Sequence, residues 1–142
     1  MARGDIFLVP VDFSHGSEKA LDYALKMARK QGGKVVSLHV IPAELIYPQA
    51  GARFDLYGLM ECDAKQNFQK LVKRKHLDSK NSTLVLARGT DFSAIIVRQA
   101  KKIGASMIIM GSHGRTGFRR FLLGSVAERT LRCATCPVLI VK

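Results

Sequence analysis

Carboxylates are scarce in this chain, and between residues 92 and 142 the only one is Glu128. A reaction centre with two metals, or with a base and an orienting acid, draws on pairs of such groups. No set of nucleophile, base and orienting residue is recognisable either, which points away from rapid turnover. Long apolar runs are also missing: none nears the ~18–20 residues that a membrane span needs. The opening MARGDIFLVPVDFS has only a brief apolar run, with Asp5 before it and Asp12 within it, too little for a secretory signal. A cytoplasmic protein without a membrane partner is expected. Cys62, Cys133 and Cys136 are an odd set that does not suggest a disulfide framework. Cys133-Ala-Thr-Cys136 has no second pair at ligand spacing, so no metal site is expected from it. It also falls at a helix C-terminus, where the dipole opposes a thiolate. Structural burial before the last strand is the expectation for this pair.

Positive charge is what the chain has in excess: 23 Lys and Arg stand against 11 Asp and Glu, a net +12 over 142 residues. An apolar fraction of 47% belongs to a folded globular chain, and the length suits one domain spanning 1–142. The charge favours anionic partners, whether nucleotides, nucleic acid or an acidic surface. It does not choose among them.

The hydrophobic pattern alternates between two periods. Apolar, β-branched runs at 5–11, 34–41, 82–87, 106–110 and 137–142 read as strands. Between them, Ala20, Leu21, Ala24, Leu25 and Ala28 share a helical face that Gly32 and Gly33 stop, and a second helix spans roughly 57–76. Residues 42–56, with two prolines and a glycine, read as a long loop. Asp91 caps a third helix carrying Ile95, Ile96, Ala100 and Ile103, which Gly104 ends, and Ser125 opens the last helix. A helix between every pair of strands predicts an α/β fold, a mainly parallel sheet with helices on both faces.

The segment MGSHGRTGFRRFLLGS (110–125) is the chemically suggestive one. In open parallel sheets, ligands bind beyond the carboxyl ends of the strands, and Gly111 follows such an end, where a side chain would obstruct a ligand. Gly114 permits positive φ and exposes backbone amides. Ser125 with Glu128 reads as an S-x-x-E capping box, so a helix N-terminus directs its amides and partial positive charge at the loop. The Ser125 hydroxyl then caps the helix and donates to a phosphate oxygen. Arg115, Arg119 and Arg120 add charge nearby. The alternative is that the glycines only turn a loop and the arginines face water. A Walker loop is absent, since Thr116 and Gly117 stand where its Gly-Lys pair belongs. So is the G-x-G-x-x-G dinucleotide fingerprint, because VDFSHGS follows the first strand. Asp12 at the end of that strand has two readings, an acceptor for a ribose hydroxyl or adenine amine and a cap near Ser14. His39 reads as packed in its strand and His15 and His76 as surface residues. His113 either contacts a nucleotide or faces solvent.

Gly111-x2-Gly114-x9-Gly124-Ser125 resembles the G-2x-G-9x-G(S/T) signature of the ATP-binding subgroup of the universal stress protein family. FLVPVDFSHGSEKALDYA, VVSLHVI and CATCPVLIVK extend the resemblance over nearly the whole chain, with 43–80 the least distinctive part. The resemblance implies a Rossmann-like, adenine nucleotide alpha hydrolase-like domain of strand order 3-2-1-4-5, usually a homodimer, that binds ATP in a regulatory role with at most slow hydrolysis. Carried onto this chain, Pro10, Val11 and Asp12 line the adenosine end and Val40 meets the adenine. Gly111, His113, Gly114 and Arg115 surround ribose and phosphates, with Met110 beside them. Gly124, Ser125 and Val126 hold the phosphate tail. Magnesium arrives with the phosphates rather than in a protein cage. In that strand order PVLIVK (137–142) is an edge, to be covered by the same strand of a second copy or by a loop or helix of its own chain. The rival function is a basic adaptor for nucleic acid or an acidic protein, suggested by KLVKRKH (70–76). No aromatic stacking platform accompanies that segment, so nucleic acid is the weaker partner.

Overall fold

Strands and helices alternate without exception in the computed structural model, which describes residues 4–43, 55–113 and 122–142. In chain order they are β1 (Ile6–Pro10), α1 (His15–Gln31), β2 (Lys34–Pro42), α2 (Leu56–Lys75), β3 (Ser82–Gly89), α3 (Phe92–Ile103), β4 (Met107–Gly111), α4 (Ser125–Cys133) and β5 (Val138–Val141). All strand pairs are parallel, and the sheet runs β3-β2-β1-β4-β5. The order 3-2-1-4-5 is the one expected. β1 lies at the centre, with Leu8 in register with Val36 of β2 and Ile108 of β4.

The unbroken apolar runs follow from burial on both faces. Phe7 and Val9 of β1 face one layer, where Val35 and Ile109 meet Ala20, Leu21, Ala24 and Ala28 of α1 and Leu71 of α2. Leu8 faces the other, with Leu38, Ile108, Met110, Ile96 and Ala100 of α3 and Ala127 of α4. Each large side chain so buried contributes roughly 1.5–3 kcal/mol. α1 and α4 thus leave neighbouring strands toward opposite faces, which opens a crevice at the strand tips between β1 and β4.

Helix ends follow the sequence signals where one side chain sets them. Ser14 caps α1 by accepting from Ser17 N–H at 3.3 Å, and Asp91 caps α3 by accepting from Ala94 N–H at 3.1 Å. Gly32 and Gly104 close α1 and α3 in left-handed conformation. β2 and β3 run slightly past their expected ends because they hold each other: the pairing continues through Ile41 with Arg88 to Pro42 with Gly89. Pro42 is tolerated as the last residue of its strand. Residues 44–54 of the expected loop lie outside the described residues.

One expectation fails in part. Cys133 is exposed, while Cys136 is half-buried and packs on the core beneath α4. The inward stripe of α4 runs through Ala127 and Thr130 toward Ala134. Cys133 stands one residue before that last position, about 100° around the axis. The basic segment 70–76 is partly neutralised: Arg74 pairs with Glu18 at 2.8 Å and Lys75 with Asp22 at 2.7 Å, tying α2 to α1.

The Ala94 amide, the Ser93 hydroxyl and Arg129 hold the Asp91 carboxyl below its ordinary range, the amide contributing most. A lowered folded value means that Asp91 stabilises the protein above the unfolded carboxylate value near ~3.9. That contribution disappears as pH falls through the folded value. Thermal melts from neutral pH to about pH 2 should show Asp91→Asn, which keeps the cap acceptor, flattening the acid limb while changing little at neutral pH. Asp91→Ala should lower the melting temperature throughout the neutral range.

Candidate functional site

A cavity of about 620 Å³ opens where the carboxyl ends of β1, β2 and β4 meet the N-terminus of α4. It brings together Pro10, Val11, Asp12, Val40, Met110, Gly111, His113, Gly124, Ser125 and Val126. Gly114 and Arg115, with Arg119 and Arg120, lie outside the described residues. The wall also contains residues that the sequence reading did not assign to the site. Leu38 and His39 come from β2, Leu59, Met60 and Asp63 from α2, and Phe92 and Ile96 from α3. One signal could have found Phe92: in each βα unit the helix begins where the strand ends, so the residue after the Asp91 cap starts at the same edge of the sheet. Nothing local distinguishes the α2 residues, whose approach depends on how that helix crosses the sheet.

The two outer glycines of the signature serve backbone packing. Gly111 is the last residue of β4 and pairs with Val141 rather than following the strand. A Cβ there would stand 2.9 Å from the carbonyl carbon and oxygen of Gly16, in the first turn of α1. The position is closed to side chains by the protein's own backbone, a different reason from the expected one. At Gly124 a Cβ would lie 3.0 Å from the Ser112 carbonyl oxygen, and the Gly124 amide donates to that same oxygen at 2.7 Å. Glycines at these positions let the starts of α1 and α4 close on the turn after β4.

The expected capping box at Ser125 does not form. Glu128 N–H donates to Gly124 O at 2.9 Å, which makes Gly124 the N-cap and Ser125 the first helical residue. Glu128 then sits one position too late to reach back, and its carboxylate meets Arg132 at 2.8 Å instead. The cap residue has no side chain to engage the leading amides of α4, and Ser125 itself is exposed. That arrangement suits an anion, whose oxygens take amide hydrogen bonds at the positive end of the helix dipole. Beside it, Nδ1 of His113 lies 2.9 Å from the Ser112 hydroxyl, while its Nε2 is buried with no hydrogen-bond partner among the described residues.

Asp12 is held from several sides. Its N–H donates to the Ser17 hydroxyl at 3.3 Å, and its Oδ1 accepts from Ser14 N–H at 3.0 Å and from the Ser14 hydroxyl. The local capping geometry is therefore real, and it presents this carboxylate at the cavity wall. On the far side Leu38, Val40, Met110, Ile96 and Val126 make the wall apolar. No group of three or more His, Cys, Asp or Glu suited to a metal ion occurs among the described residues. Among them, too, no helix is long and apolar enough to cross a membrane.

Residues 5–142 match the model of the universal stress protein family. The chain is 31% identical to universal stress protein MJ0531 of Methanocaldococcus jannaschii over 137 residues, 95% of this chain and 80% of that protein. In structure it is similar to protein MJ0577 of the same organism, with a TM-score of 0.81, 29% identity, and coverage of 99% of this chain and 97% of the other. A universal stress protein from Archaeoglobus fulgidus, solved in complex with dAMP, superposes with a TM-score of 0.68 at 27% identity over 100% of both chains. Motif, topology and whole-length similarity agree: the chain belongs to the universal stress protein family.

Proposed function

We propose that this protein is an adenine-nucleotide-binding regulator of the stress response, with ATP as its ligand and magnesium carried in on the phosphates. The observation that supports this most is the join between β4 and α4, where side-chain-free Gly124 leads into a helix start that no cap residue blocks. Phosphate oxygens are placed there, on the leading amides of α4, the Ser125 hydroxyl and His113 Nε2. The ribose lies toward Asp12 and the base against Val40 and the apolar wall, with Pro10, Val11, Met110 and Gly111 beneath it. Gly114 and Arg115 belong to the same proposal through the signature. The dAMP complex of the Archaeoglobus fulgidus relative supports the adenine preference. Glu128 is engaged by Arg132, so the role proposed is binding rather than turnover. The pairing of Arg74 and Lys75 with α1 weighs against the adaptor reading. A homodimer joined along β5, the last strand of the sheet, completes the proposal.

Calorimetry with ATP, AMP and dAMP, together with extraction of nucleotide from denatured purified protein, tests the binding. Saturable heat in the micromolar range is expected, weakened at least about tenfold in Gly124→Val. Absence of heat with all three ligands and of extractable nucleotide would reject the proposal.

A further inference from the structure

One side chain touches both chain neighbours of Asp12, the main chain of one and the ring of the other. His39 Nδ1 lies 2.8 Å from the Val11 carbonyl oxygen, a contact that requires the proton on Nδ1. The same ring meets the Phe13 ring, with centroids 5.0 Å apart and planes tilted by 41°. Phe13 has φ 62, a left-handed conformation that is costly for a bulky side chain. That conformation turns the chain so that Ser14 N–H reaches back to Asp12 Oδ1 at 3.0 Å. A residue relaxed to negative φ at position 13 would carry the Ser14 amide away from the carboxylate.

Resting on the reading of the cavity as an adenine nucleotide site, we propose that His39 is a positioning residue, which aims the Asp12 carboxylate by anchoring Val11 through Nδ1–H and holding Phe13 left-handed through ring packing. The Ser17 hydroxyl, on the Asp12 amide, adds to the frame. His39 lines the cavity, but this role acts through Asp12.

Nuclear magnetic resonance of the ligand-free protein gives the first test. The ring nitrogen shifts of His39 should report the Nδ1-protonated tautomer. In His39→Leu the Ser14 amide should lose its hydrogen-bonded shift and exchange at least about tenfold faster. His39→Asn keeps a donor near the place of Nδ1 without the ring and should retain part of that protection, which also covers a poorly folding leucine variant. The second test is a double-mutant cycle read by ATP affinity. His39→Leu and Asp12→Ala should each weaken binding about tenfold, and together also about tenfold rather than the ~100-fold of independent sites. A proton on Nε2, an unmoved Ser14 amide, or additive losses would overturn the proposal. If the wild-type protein binds no ATP, the nucleotide reading falls, while the tautomer and the Ser14 amide still decide what His39 does.

Discussion

Gly111→Ala is expected to destabilise the protein by about 1–3 kcal/mol, the usual cost of forcing atoms into a packed interior. It should also weaken ATP binding at least about tenfold. The new methyl would meet the Gly16 carbonyl group at 2.9 Å and lie 3.4 Å from the Ser17 amide nitrogen. Backbone cannot rotate away as a side-chain end can. Nor can α1 withdraw as a unit, because Ala20, Leu21 and Ala24 on its inner face are fully buried. Strain is therefore directed into the first turn of α1, where Ser14 and Ser17 hold Asp12. The disturbance reaches the opposite side too, since the Gly16 Cα faces His113 O closely enough that a Cβ would sit at 3.1 Å. Denaturant melts and calorimetry on the same sample check both effects. A variant as stable as the wild type and equally tight for ATP would show that the close approach at this join is not a constraint.

Ile140→Pro is expected to convert the proposed dimer to monomer at micromolar concentration while leaving the sheet of each copy intact. Ile108 N–H donates to Pro137 O at 2.9 Å and Ser112 N–H to Val141 O at 3.1 Å. Alternation along the strand then directs the main-chain groups of 137, 139 and 141 toward β4 and those of Val138 and Ile140 outward. Proline at 140 removes one outward donor and spares the inner ladder, as an edge strand allows. Two copies paired antiparallel about a two-fold axis would lose that hydrogen bond twice and meet two rings at the join. Dimer dissociation should rise at least about tenfold, measured by sedimentation or light scattering over a dilution series. A monomeric wild type, or a variant that stays dimeric, would show that β5 is not the joint.

The legible parts of the fold were those in which one residue reports its own environment. Runs such as Phe7-Leu8-Val9 showed two-faced burial because consecutive side chains point to opposite sides of a sheet. Asp91 announced α3 because its carboxylate reaches an amide only three residues on. The stripe Ala20, Leu21, Ala24 and Ala28 marked the inner face of α1 for the same reason. Asp12 has two uses by sequence, and its hydrogen bonds with Ser14 and Ser17 show the capping contacts at the cavity wall.

Spacing and side-chain type were thus enough for the alternating α/β plan and for the glycine–serine segment as the place to look, because both are written in contacts spanning a few residues. Which residue starts α4, why Gly111 must lack a side chain, and how Leu59, Met60 and Asp63 come to the cavity depend on segments tens of residues apart in the chain. Those answers come from backbone meeting backbone, at Gly111 with Gly16 and at Gly124 with Ser112, and close approach between distant segments leaves no periodic trace in either one.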